Sequence, residues 1–276
     1  MEFPLLTSND NPLVRAIRLV AAQARRAPAN LVLAEGLRVL EEATMAGCSL
    51  DAALVSQDFG SSLREKELLL TWSERCVPVR RAAPALLRRL SDVISPQGAL
   101  ALVRVPTSTL ATVRMVADPL ILCLCGIQDP GNLGALLRTA RATGVSWVCC
   151  LKGTVSARNP KAIRASAGAF FSLAVVEDIS AGEILDHCHA RRIAIYRADA
   201  QRGRSCWAVD FRGPAAIMLG NEAHGLGGEA WTGIPCVRVP MAAGVESLNV
   251  SAAGAVLLYE ALRQRSKSPA GKTTGT

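Results

Sequence analysis

The chain has 276 residues, half of them hydrophobic and one fifth charged, with a formal net charge of +8. An apolar fraction of that size excludes a mostly disordered chain, and the length suits one large domain or two moderate ones. Of the 31 basic residues 26 are Arg, planar cations suited to phosphate and carboxylate, but charge alone leaves nucleic acid and a solvated surface equally open.

In chain order, Asn11-Pro12 opens a basic helical stretch through Arg26, Leu31–Ala34 reads as a strand, and Leu37–Ala46 as a helix ending at Gly47. Asp51–Ser56 reads as a second strand, followed by a charged helix around Arg64 to Trp72. This alternation predicts a layered α/β unit with parallel strands. The polar, proline-marked stretch Val105–Thr109 reads as a linker. Beyond it Leu120–Cys125, Trp147–Leu151, Leu173–Val176, Ile193–Tyr196, Ala215–Leu219 and Val237–Val239 read as strands, with Gly134–Ala142 as a helix. Runs that are apolar throughout predict a parallel sheet covered on both faces. Leu248–Arg265 reads as a closing helix with an apolar first half and a basic end, and a polar tail follows.

The expected organisation is therefore a smaller α/β domain over residues 1–105, a linker over 106–117, a parallel-sheet α/β domain over 118–266 and a disordered tail over 267–276. Met1-Glu2-Phe3-Pro4 lacks the basic start and apolar run of a signal peptide, and no apolar stretch reaches the ~18–20 residues of a membrane span, so a cytoplasmic protein with no membrane partner is expected. The nine cysteines form no Cys-x-x-Cys pair; Cys123, Cys125, Cys149 and Cys150 lie in apolar runs and read as reduced core thiols. His187 and His189 fall on different sides of a helix and His224 stands alone, so no metal is expected. No strand is followed by Gly-x-Gly-x-x-Gly, no complete phosphate loop precedes Gly271-Lys272-Thr273, and Gly-x-Ser-x-Gly is absent.

Three segments combine glycine, proline and polar residues just after apolar strands, where parallel α/β proteins assemble their sites. The first runs from Gly126 to Ala140 and contains Asp129-Pro130-Gly131-Asn132, with Arg138 about one and a half helical turns beyond Asn132. Asn132 is a candidate helix cap or site residue, and Arg138 a candidate site residue or a solvated cation. The second is Leu219-Gly220-Asn221-Glu222-Ala223-His224-Gly225-Leu226. The third runs from Val239 to Ala253, with Pro240 and Met241 at its start and Ser247, Leu248 and Asn249 at the entry to the closing helix, available for caps or ligand contacts.

Together these segments resemble the motifs of the SpoU-type RNA 2′-O-ribose methyltransferases: Asp-Pro-x-Asn-x-Gly-x-x-x-Arg-Thr-Ala, Gly-Asn-Glu-x-x-Gly-Leu, and Pro-Met followed by Ser-Leu-Asn-Val-Ser. Asn159–Ala169 is similar to the family's segment between the first two motifs. The front unit, from Ser8–Pro12 through Leu33–Gly36 to Pro96–Gly98, resembles the family's L30e-like substrate-binding domain. In the third motif Ala243 stands where the family often has glycine, and Gly244 follows.

The resemblance implies a deep trefoil knot and a site for S-adenosyl-L-methionine formed by Leu219, Gly220, Val239, Pro240, Met241, Ser247 and Leu248, largely through main-chain groups. It implies Arg138 as the catalytic arginine, with Asn132, Glu222, Ser247 and Asn249 ordering the site and Glu222 holding the guanidinium. The expected partners are RNA, ribosomal in preference to transfer RNA, and a second copy of the chain with the closing helix near the interface. Arg15, Arg18, Arg25, Arg26, Arg158 and Arg164 are candidate phosphate contacts. A non-catalytic RNA-binding protein of the same fold is the competing reading; it would have no need for Asn132, Arg138, Glu222, Ser247 and Asn249 together.

Overall fold

A computed structural model of the chain describes residues 3–23, 26–91, 93, 97–221 and 229–266. The chain forms two compact units, Met1–Thr107 with Arg158–Ser172, and Ser108–Ala157 with Leu173–Thr276.

The first unit contains β1 (Leu5–Leu6), α1 (Pro12–Ala21), β2 (Leu31–Glu35), α2 (Leu37–Met45), β3 (Ser49–Ser56), α3 (Leu63–Glu74), β4 (Val79–Ala82), α4 (Pro84–Leu90) and β5 (Ala99–Arg104). Its sheet has the order β1-β4-β3-β5-β2. The expected all-parallel pairing does not hold. β5 runs antiparallel to both neighbours, β2 and β3, while β3, β4 and β1 are parallel. The chain between β4 and β5, residues 83–98 with α4 inside it, is long enough for a parallel crossover, yet β5 returns between β2 and β3 in the opposite direction, a pairing that apolar runs and strand–helix alternation do not specify. Val14, Ile17 and Val20 of α1 and Leu86, Leu87 and Leu90 of α4 pack with Leu33, Leu54, Leu100 and Leu102 of the sheet. α1 begins on an Asn11 cap whose side chain accepts from the Leu13 N–H, and it ends at Ala21 rather than running on to Arg26, with Gln23 at φ 48°. That left-handed backbone breaks the helical path.

A segment that follows the second unit's β7 (Trp147–Leu151) in sequence packs with the first unit. It holds α6 (Pro160–Ala165) and a 3-10 turn, Ala169–Ser172. Arg164 donates to the buried carboxylate of Glu35 at 2.9 Å, Ser91 shares that carboxylate, and Arg158 donates to the Ala29 and Pro106 carbonyls. A Cβ on Gly168, at φ +86°, would lie 2.5 Å from the Glu42 Cβ.

Besides β7, the second unit contains β6 (Leu120–Leu124), α5 (Pro130–Ala142), β8 (Val175–Ile179), α7 (Ala181–Ala190), β9 (Ala194–Ala198), β10 (Arg204–Ser205), β11 (Ala215–Leu219), β12 (Cys236–Arg238) and α8 (Val250–Ser266). Every pairing in its sheet is parallel, in the order β10-β12-β9-β11-β6-β7-β8. All residues of β6, β7 and β11 are buried, so both faces are covered, as their uninterrupted apolar runs predict. One face packs Ile121, Cys123, Trp147, Cys149 and Met218 against Ile184 and Cys188 of α7. On the other, Gly254 of α8 lets the helix approach Leu136 of α5 and Leu219.

Cys123, Cys149, Cys150 and Cys188 are buried free thiols. Burial pushes Cys188 up to about 12, and a hydrogen bond with Cys149 together with burial raises Cys123 well above the ordinary thiol range. These thiols stay protonated and pack as small apolar groups. No helix among the described residues is long and apolar enough to cross a membrane.

Candidate active site

The site lies at the carboxyl ends of β6, β9, β11 and β12, where the strands of a parallel sheet hand over to loops and helix N-termini. After β6 the chain turns at Gly126, whose φ of +70° suits a residue without a Cβ. The Gly126 N–H donates to Thr154 Oγ1 at 3.0 Å, and that hydroxyl donates to the Leu124 carbonyl at 2.9 Å. The Gly126 carbonyl accepts from Asn221 Nδ2 at 2.9 Å, which joins the first motif segment to the second.

α5 starts with Pro130 at its first position, and Asp129 is its cap, accepting from the Asn132 N–H at 2.8 Å. Asn132 is therefore not the cap but the third helical residue. Its side-chain oxygen accepts from Asn249 Nδ2 at 3.1 Å. The other end of the Asn249 amide serves α8: Oδ1 accepts from the Ser251 N–H at 2.9 Å and the Ser251 hydroxyl at 2.6 Å. Asn249 is thus both helix cap and tether, and it joins the third segment to the first. The N-termini of α5 and α8 meet here, so two helix dipoles direct their positive ends to one place, which favours an anion or a developing negative charge.

Arg138 is exposed on α5, and among the described residues no carboxylate pairs with its guanidinium. Glu222, expected to hold that guanidinium, lies outside the described residues, as does His224. The loop between β12 and α8 turns at Gly244, with φ +83°, and the Val245 N–H donates to the Ala242 carbonyl. The left-handed residue is Gly244, and Ala243 carries no positive φ, so alanine at that position costs no backbone strain.

A cavity of about 400 Å³ opens beside these loops. Leu219, Gly220, Val239, Met241, Ser247 and Leu248 line it; Pro240 sits in the same loop without lining it. Its size falls within the ordinary range for small-molecule sites, and its wall combines leucine and valine side chains with strand-end main chain. The lining fits a nucleoside carrying an amino-acid arm: the leucine and valine side chains would cover an apolar base, and the main-chain groups and Ser247 would offer partners to polar atoms. Sequence reasoning missed the third side of the cavity, Arg197–Arg202 at the end of β9. The signal available was position alone, a polar stretch directly after an apolar strand.

The candidate phosphate contacts divide. Arg15 and Arg18 are exposed on α1, and Arg26 is exposed beyond it. Arg158 and Arg164 hold the first unit together through the contacts described above. Arg25 lies outside the described residues. Among the described residues no group of three or more His, Cys, Asp or Glu could hold a metal ion.

The chain matches the SpoU rRNA methylase family over residues 119–259 and the MRM3-like substrate binding domain over residues 11–101. It is 30% identical to a 23S rRNA (uridine(2479)-2′-O)-methyltransferase of Streptomyces viridochromogenes, over 90% of this chain and 88% of that one. Among solved structures it is similar to an RNA 2′-O ribose methyltransferase, with a TM-score of 0.80 and 36% identity over 95% of this chain and 99% of the other. It is also similar to the SpoU methyltransferase AviRb of Streptomyces viridochromogenes in complex with AdoMet, with a TM-score of 0.80 and 29% identity over 92% and 99%. Two motif segments that line one strand-end cavity, a third tied to both by side-chain hydrogen bonds, a family match across the whole second unit's sheet and a structural likeness over 95% of the chain lead to one conclusion: the chain belongs to the SpoU rRNA methylase family, S-adenosylmethionine-dependent methyltransferases of RNA ribose.

Proposed function

We propose that this chain methylates a ribose 2′-hydroxyl of large-subunit ribosomal RNA, with Arg138 as the catalytic residue. The observation that supports the reading is the pair of side-chain links, Asn221 to Gly126 and Asn249 to Asn132, that tie the segment bearing Arg138 to the two segments lining the cavity. S-adenosylmethionine supplies an electrophilic sulfonium methyl. The chain's own work is to place the 2′-oxygen in line and to stabilise the charge that develops as its proton leaves. A guanidinium is a permanent cation and a poor base, so Arg138 orients the hydroxyl and lowers the cost of the developing alkoxide while the adjacent RNA phosphate assists removal of the proton to water. The paired helix N-termini add to the same field. Ser247, which lines the cavity, meets the cofactor.

In this reading residues 1–105 form an L30e-like domain that engages RNA, and residues 118–266 form the methyltransferase domain with the trefoil knot of its class. The enzyme works in the cytoplasm as a homodimer with α8 near the interface. Incubation with labelled S-adenosylmethionine and separated ribosomal and transfer RNA tests the substrate. Label in large-subunit ribosomal RNA is expected, and label confined to transfer RNA would overturn the assignment.

A further inference from the structure

We propose that the Asp199 carboxylate binds the ribose hydroxyls of the cofactor's nucleoside. The inference rests on the cofactor reading above and concerns a residue outside all three motif segments. Asp199 follows β9 directly, and its N–H donates to the Val237 carbonyl at 2.9 Å, which fixes its backbone to the neighbouring strand. Its Oδ1 accepts from the Gln201 N–H at 3.0 Å and the Arg202 N–H at 2.8 Å, closing a tight turn that locks the side chain. Oδ2 accepts from none of the described residues. Asp199 is the single carboxylate among the described residues lining the cavity.

Its chemistry narrows the ligand group. Burial raises the Asp199 pKa, but the two backbone donors and the nearby Arg197 and Arg202 outweigh it and hold the carboxyl below its ordinary range. It is therefore ionised at neutral pH and can only accept. Arg197 and Arg202 line the same side of the cavity, so the local charge is positive in sum and a ligand ammonium would meet two guanidinium groups. Neutral donors suit the position, and a vicinal pair of hydroxyls matches the open lone pairs of one carboxylate. A side chain held by its own turn needs no reordering when the ligand arrives, which preserves the strength of the contact.

The test is calorimetric titration of the full chain with S-adenosylhomocysteine, which carries the same nucleoside and donates no methyl, and with its 2′,3′-dideoxy analogue. The unaltered chain should bind S-adenosylhomocysteine about tenfold or more tightly than the dideoxy compound. Asp199→Ala should lose a similar factor for S-adenosylhomocysteine and little for the analogue, so that the discrimination disappears. Asp199→Asn retains an oxygen that can close the turn; it should lower the discrimination severalfold at an unchanged thermal midpoint, which separates ligand contact from folding. Wild-type affinity in Asp199→Ala, or an undiminished preference for the hydroxyls in either variant, would overturn the assignment. A chain that binds neither compound would overturn the cofactor reading itself.

Discussion

Arg138 stands exposed on α5 while the start of that helix is tied to α8 through the Asn132 and Asn249 side chains. A cation with this placement can be removed with little effect on packing. Arg138→Ala should lower methyl transfer by about 10³-fold or more, the scale of a lost charge-stabilising group, while S-adenosylhomocysteine affinity and thermal midpoint stay near wild type. Near-normal turnover would remove Arg138 from the chemistry. His187 supports a prediction of another kind. It is buried edge-on against Trp147, with ring centroids 5.5 Å apart, and its Nε2 has no hydrogen-bond partner among the described residues. Burial, aided by Arg191, lowers its pKa in the folded chain. An unfolded histidine titrates near ~6.5, so below that pH the unfolded chain takes up a proton that the folded chain resists, and stability falls as the pH falls. The thermal midpoint should drop from about pH 7 to about pH 5.5, less steeply in His187→Leu; equal slopes in the two proteins would contradict the assignment.

Between elements, the contact most sensitive to volume is α8 against α5. A Cβ on Gly254 would lie 2.4 Å from Leu136 Cδ2 and 2.7 Å from Leu219 Cδ1, both on buried side chains. Gly254→Val should therefore destabilise by about 1–3 kcal/mol, read as a lower denaturation midpoint, and should loosen the cavity wall with it. An unchanged midpoint would mean that the two helices separate freely. The elements that were legible from the sequence share a cause. β6, β7 and β11 lie under cover on both faces, so burial wrote apolar runs of strand length into them. The two-residue strands β1 and β10 are too short for any periodicity to register. α7 was read only as a helix carrying His187 and His189, and its bounds went unread although Ser180 and Glu183 form a capping box, a pattern visible in sequence as Ser-x-x-Glu. The three motif segments were legible as a family pattern because their residue types stand at the spacing the family shares. Asp199 was not, because a lone acid after a strand matches no pattern until the fold places it at the cavity. The packing of Arg158–Ser172 with the first unit likewise depends on chain path, which local sequence does not encode.

For the whole molecule, the charge of +8 acquires a distribution. Some arginines are structural, as Arg164 is with Glu35, and others, including Arg15 and Arg18 on α1, face solvent. An RNA interface built on such groups releases counterions, so affinity for ribosomal RNA fragments should fall at least about tenfold between ~50 and ~200 mM salt. A flat response would argue against phosphate-dominated binding. In the proposed function this cavity and Arg138 transfer a methyl group to a ribose oxygen. The most direct measurement is mass spectrometry of nucleosides released from ribosomal RNA after incubation with the protein and S-adenosylmethionine. A 2′-O-methylated nucleoside is expected, and it should be absent when Arg138→Ala replaces the wild type. A methyl group on a base, or an equal yield from that variant, would contradict it.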